Sequence, residues 1–88
     1  MIERVVTISN SLGLHARPAA QFVRLANTFG ADIQLGKEGA SINGKSIMGV
    51  MMLAAEHGSE ISIRAVGDDA EAAVAALTAL VESGFGED

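Results

Sequence analysis

The 88-residue chain has no cysteine, no tryptophan, no tyrosine and a single proline. Without thiols there is no disulfide and no thiolate-bound metal, which fits a reducing compartment. Basic residues are scarce as well: six Lys and Arg stand against eleven Asp and Glu, for a net charge of −5. That balance argues against nucleic acid as the main partner, because phosphate backbones need a basic surface. No apolar run approaches the ~20 residues of a bilayer-spanning helix. Nor does any stretch join a basic start, an apolar core and a small-residue cleavage site. These absences predict a soluble, cytoplasmic protein without membrane contact, built as one domain over residues 1–88.

The charge is unevenly spread. Residues 1–45 hold five basic and three acidic residues, whereas residues 46–88 hold one basic and eight acidic. The electropositive half suits an anionic group or an acidic partner surface.

Apolar residues make up 49% of the chain, and their spacing changes cleanly along it. Ile2 to Ile8 alternates as a strand, with Ile2, Val6 and Ile8 on one face. Asn10, Ser11 and Gly13 break that pattern. From Ala16 to Phe29 the period becomes helical, with Ala19, Phe22, Val23, Ala26 and Phe29 on one side. Pro18 belongs in the first turn of a helix, where its missing N–H is no loss, so the helix starts near His15 or Ala16 and Gly30 closes it. Ala31–Leu35 and Ala40–Asn43 alternate as strands around a Glu38-Gly39 hairpin turn. Ser46 opens a short helix from Ile47 to about Leu53, and Glu60–Val66 is a strand. Asp68 is expected to cap the last helix, with Glu71 completing a near capping box and Gly84 ending it. The order β-α-β-β-α-β-α predicts an α/β (α+β) open-faced two-layer sandwich. Its four-stranded, mostly antiparallel sheet carries three helices on one face.

Gly13-Leu14-His15-Ala16-Arg17-Pro18-Ala19 holds the chemistry. A lone histidine near a helix start is ordinarily a capping or surface residue. Here Arg17 stands in the same first turn, and a helix N-terminus offers unpaired N–H groups and partial positive charge. Together they form an anion site suited to phosphate. The same field favours a neutral ring, whose nitrogen is a nucleophile. A phosphoryl group is the fitting electrophile, its oxygens held by Arg17 and by the N–H groups of Ala16 and Arg17. No P-loop or metal cluster accompanies the pair, so the chain reads as one side of a phosphoryl relay rather than a stand-alone enzyme. His57, in a loop between Glu56 and Gly58, reads as solvated, and with His15 makes too few ligands for a metal site.

This segment resembles the active-site motif of the histidine-containing phosphocarrier (HPr) family of the phosphoenolpyruvate-dependent sugar phosphotransferase system. Asn43-Gly44-Lys45-Ser46-Ile47-Met48-Gly49-Val50-Met51 resembles that family's second signature, which surrounds a regulatory serine. The resemblance covers essentially the whole chain. It implies that His15 accepts phosphate on Nδ1 from enzyme I and passes it to the A component of a sugar permease or a related regulator. It also implies that Arg17 neutralises the phosphate, and that Ser46 is phosphorylated by an HPr kinase/phosphorylase. Threonine is frequent in the family where this chain has Ala16, a change that loses a hydroxyl but keeps the backbone N–H. No cofactor is expected, and a carrier that shows one face to successive partners is expected to be a monomer.

The helix after Ser46 is apolar nearly all round. Val50 and Leu53 are expected inside, leaving Ile47, Met48 and Met51 outside as an adaptable docking surface. Arg24 lies two helical turns after Arg17, so Arg17, Ala20 and Arg24 would complete that surface. Two other classes compete: a regulatory interaction protein whose Ser46 state controls binding to a transcription factor or enzyme, and a small-ligand-binding module without chemistry.

Overall fold

The computed structural model describes residues 1–87. Its elements are β1 (Ile2–Thr7), α1 (Ala16–Ala26), β2 (Asp32–Lys37), β3 (Ala40–Asn43), α2 (Ile47–Met52), β4 (Glu60–Val66) and α3 (Ala70–Glu82), followed by a 3₁₀ turn at Gly84–Gly86. The sheet order is β1-β4-β2-β3, with every neighbouring pair antiparallel. The open-faced sandwich expected from the alternating pattern is the fold observed.

Pairing follows the period-two pattern. Val6 lies opposite Ile61, Ile33 opposite Ala65 and Leu35 opposite Ile63, and all six are buried beneath the helices. Gln34 pairs with Arg64 on one side and Asn43 on the other, on the uncovered face. Glu38 (φ 51°) and Gly39 (φ 86°) form the two-residue turn between β2 and β3; positive φ at both matches the right-handed twist of a hairpin. α3 packs on β1 and β4, while α1 packs between α2 and α3. Phe22, Ile8, Leu77, Val74 and Val81 are among the side chains that fill the layer between helices and sheet.

Two helix boundaries differ from the sequence reading. α1 stops at Ala26, not near Phe29, and Gly30 does not close it. Asn27 and Thr28 are the reason. Their side chains donate to the carbonyls of Val23 (2.9 Å) and Leu25 (2.7 Å), competing with continuation of the helix. At α3 the N-cap is Asp69 rather than Asp68, and its carboxylate does not cap the helix. It accepts instead from the N–H groups of Gly30 and Ala31, both at 2.8 Å, and so ties the start of α3 to the entry of β2. These bonds hold the Asp69 carboxyl below its ordinary value, with that to Gly30 the largest cause.

Candidate functional site

The site is set by the loop between β1 and α1. Asn10 is fully buried; its Nδ2 donates to the Gly13 carbonyl at 2.9 Å, and the Gly13 N–H returns a bond to the Asn10 carbonyl at 3.2 Å. Gly13 has φ +67°, and a Cβ there would overlap the Ala55 carbonyl oxygen. Only glycine permits both this turn and this close approach. The Leu14 N–H then donates to the Ala55 carbonyl at 2.8 Å, so the segment after α2 braces the segment that presents His15.

His15 is the N-cap of α1, in extended conformation, and its side chain makes no capping bond. Its carbonyl accepts the first helical bond, from Ala19 at 3.0 Å. The N–H groups of Ala16 and Arg17 are therefore left without helical partners, and Pro18 has none to offer. The imidazole is therefore not spent on capping the helix. The His15 side chain is 37% exposed, and Arg17 beside it is exposed. Among the described residues Arg17 has no ion-pair partner within 4.0 Å.

One site residue escaped the sequence reading. Glu87 Oε1 lies 3.0 Å from His15 Nε2 and 3.1 Å from Asn10 Nδ2. The path to it is visible only in three dimensions. Gly84 (φ +70°) turns the chain after α3, Phe85 (φ 58°) is buried at 3% exposure as an anchor, and Glu87 is carried back over the loop. The hydrogen bond from His15 is the first cause, and that from Asn10 a further one, that hold the Glu87 carboxyl below its ordinary range. An ionised carboxylate only accepts, so the proton on Nε2 belongs to the imidazole and the lone pair is left on Nδ1. Nδ1 has no hydrogen-bond partner among the described residues. Among the described residues the ring thus offers one nucleophilic nitrogen at the end of a helix with two N–H groups lacking helical partners and a guanidinium outside any ion pair. That arrangement suits in-line attack on a phosphoryl group whose oxygens need donors.

α1 and α2 run antiparallel: Leu14 meets Ala55 after α2, and Asn27 Nδ2 reaches the Lys45 carbonyl before it, at 3.5 Å. Val50 and Leu53 face inward, while Ile47, Met48 and Met51 are exposed, as the spacing predicted. Met52, the last residue of α2, and Leu12, in the loop before His15, are also exposed, at 76% and 71%. Ala20 is half-buried and Arg24 exposed on α1. Ser46 caps α2; its Oγ accepts from the Gly49 N–H at 3.1 Å. It sits at the start of α2, whereas the His15 loop meets the segment after that helix; the six residues of α2 span about 9 Å along its axis. His57 is exposed, its Nδ1 3.4 Å from the Asn10 carbonyl. Among the described residues no group of three or more His, Asp or Glu could hold a metal, and no helix is long and apolar enough to cross a membrane.

Fold and site together define a small α+β protein that presents a histidine at a helix N-terminus. Residues 2–83 match the family model described as the PTS HPr component phosphorylation site. The chain is 45% identical over 87 residues to the phosphocarrier protein HPr of Cupriavidus necator, covering 99% of this chain and 98% of that protein. It is 44% identical over 82 residues to the HPr-like protein Crh of Bacillus subtilis, covering 93% of this chain and 96% of that one. The structure matches HPr-C-His from Thermoanaerobacter tengcongensis with a TM-score of 0.96 and 46% identity, over 100% and 99% of the two chains. The chain belongs to the HPr family, the phosphocarriers of the phosphotransferase system.

Proposed function

We propose that His15 is the phosphoryl acceptor and that the chain relays phosphate, in the cytoplasm, from phosphorylated enzyme I to the A component of a sugar permease or a related regulator. The observation that carries this reading is His15 itself: half-exposed, with Nε2 engaged by Glu87 and Nδ1 unengaged beside the free N–H groups of Ala16 and Arg17. Nδ1 attacks phosphorus, the donor's bond to phosphorus breaks, and the oxygens pass to the guanidinium of Arg17 and the two backbone donors. Arg17, Ala20 and Arg24, with Ile47, Met48 and Met51, form the docking surface, extended by Met52 and Leu12. Incubation with phosphoenolpyruvate and an enzyme I should add one acid-labile phosphate to the wild type and none to His15→Ala. An unmodified wild type would overturn the relay.

A regulatory layer at Ser46 is a second reading. Its hydroxyl is at a helix start, next to the apolar docking face, where a phosphate of about −1.5 to −2 charges would be tolerated by the fold but would oppose an acidic partner. An HPr kinase/phosphorylase would be the modifying partner.

A further inference from the structure

Gly49 is the third residue of α2, and nothing inside the fold calls for glycine there. It does not have the positive φ that glycine alone adopts freely. A Cβ at Gly49 would meet no atom closer than 3.3 Å, whereas one at Gly44 would come within 2.7 Å of Ile33 Cγ2. Alanine would also be the better helix former. The atoms around the missing side chain show what the gap adjoins. They are the Asn43 carbonyl oxygen at 3.3 Å, with Ser46 Cβ and Ser46 Oγ both at 3.5 Å. The bare Cα therefore leaves a notch beside the Ser46 hydroxyl.

The bonding of that hydroxyl fits the notch. Ser46 Oγ accepts from the Gly49 N–H at 3.1 Å and donates to no group among the described residues. The hydroxyls of Thr28 and Ser83, by contrast, each spend their proton on a carbonyl 2.7 Å away. The flanking Lys45 is committed elsewhere, its Nζ donating to the Phe29 carbonyl at 2.7 Å. Ser46 is half-buried, so the side from which it can be reached matters. The residue at 49 thus fixes the oxygen through its N–H and leaves it open through its missing side chain.

We propose that Gly49 sets access to Ser46: its lack of a side chain is what admits the terminal phosphoryl group of a nucleoside triphosphate, held by a serine kinase, to Oγ. The proposal rests on the reading of Ser46 as a phosphorylated serine. In that step Oγ attacks the terminal phosphorus and the bond from phosphorus to the bridging oxygen breaks. The nucleoside diphosphate leaves with that electron pair, and the hydroxyl proton passes to a base of the kinase. The incoming phosphoryl oxygens need the space next to Oγ that a methyl group at 49 would fill. Transfer to His15 does not use this space, so Gly49 bears on one phosphorylation and not on the other.

Gly49→Ala in the full chain tests this, with ATP and an HPr kinase/phosphorylase for Ser46 and with phosphoenolpyruvate and enzyme I for His15. The thermal midpoint should equal or exceed that of the wild type, because alanine favours the helix. The kcat/KM for Ser46 phosphorylation should fall about tenfold, as expected when reacting groups are kept from close approach, and further in Gly49→Leu. Phosphoryl acceptance at His15 should keep its wild-type rate in Gly49→Ala. Equal Ser46 phosphorylation in wild type and Gly49→Ala overturns the proposal. So does a loss confined to His15 acceptance, which would assign the gap to the docking face. Equal slowing of both reactions with a lowered thermal midpoint overturns it too, as a purely structural effect. If the wild type itself takes no phosphate at Ser46, the reading of that serine fails, and the proposal with it.

Discussion

His15 stands between two fields of opposite sign. The N-terminus of α1 and Arg17 favour anions, while Glu87 sets a carboxylate against Nε2. On the proposed relay, the first pair would receive the phosphoryl oxygens. Removing the guanidinium in Arg17→Ala should therefore lower kcat/KM for phosphoryl acceptance about 10- to 100-fold, the worth of one charge-assisted hydrogen bond. Stopped transfer assays with purified enzyme I would check it, and an unchanged constant would remove Arg17 from the site. The placement of His15 and Arg17 at a helix start was legible in sequence because it is local, fixed by a proline in the first turn; Gly13 was read only as a break in the strand pattern, and its positive φ was not legible. Glu87 was not, since 72 residues separate it from His15 and its approach depends on the burial of Phe85. The cap expected at Asp68 was misplaced for a similar reason: the N-cap is Asp69, and its carboxylate serves Gly30 and Ala31 rather than its own helix. Because those bonds depress its folded-state titration, Asp69 adds stability in full above its ordinary value of 3.8. That stability is lost as pH falls below it through the folded value. Urea midpoints of wild type and Asp69→Asn should differ at pH 7 and converge toward pH 2; a constant difference would contradict the assignment.

Among the elements, α2 has two jobs that separate cleanly. Val50 and Leu53 anchor it, leaving Ile47, Met48, Met51 and Met52 to solvent. The helical spacing showed this division for all but Met52, which it left unassigned; the early end of α1 was hidden because Asn27 and Thr28 act through side-chain bonds that periodicity does not register. Met48→Glu should slow transfer from enzyme I while leaving the thermal midpoint unchanged, because that side chain is 73% exposed. Normal transfer kinetics would remove the docking face. At the cap, Ser46→Ala should cost about 1 kcal/mol in urea unfolding, whereas Ser46→Asp, an equally good cap, should cost almost nothing. If negative charge at this position regulates docking, Ser46→Asp should nevertheless be phosphorylated more slowly at His15.

The whole molecule is a scaffold that holds one short loop still. All three helices lie on one side of the sheet, and the loop from Asn10 to Leu14 is braced by the segment after α2 and by the chain beyond α3. The sandwich was legible from strands that alternate and helices that do not, with a buried stripe on each. What sequence could not show was that the end of α3 returns to the first loop. Gly13→Ala tests how far stability and site are joined. Left-handed backbone costs an alanine about 1–2 kcal/mol, and overlap with the Ala55 carbonyl adds to it. The thermal midpoint should fall by about 10 °C or more, with slower phosphoryl acceptance by the surviving fold. Site and stability would prove independent if acceptance were unaffected.

The central claim is that Nδ1 of His15 carries the phosphate. The most direct measurement is ³¹P and ¹⁵N NMR of the ¹⁵N-histidine-labelled protein after incubation with phosphoenolpyruvate and enzyme I. One phosphorus bonded to His15 Nδ1, with Nε2 still protonated, is the predicted result. A phosphate on Nε2, on His57 or on Ser46, or none at all, would contradict it.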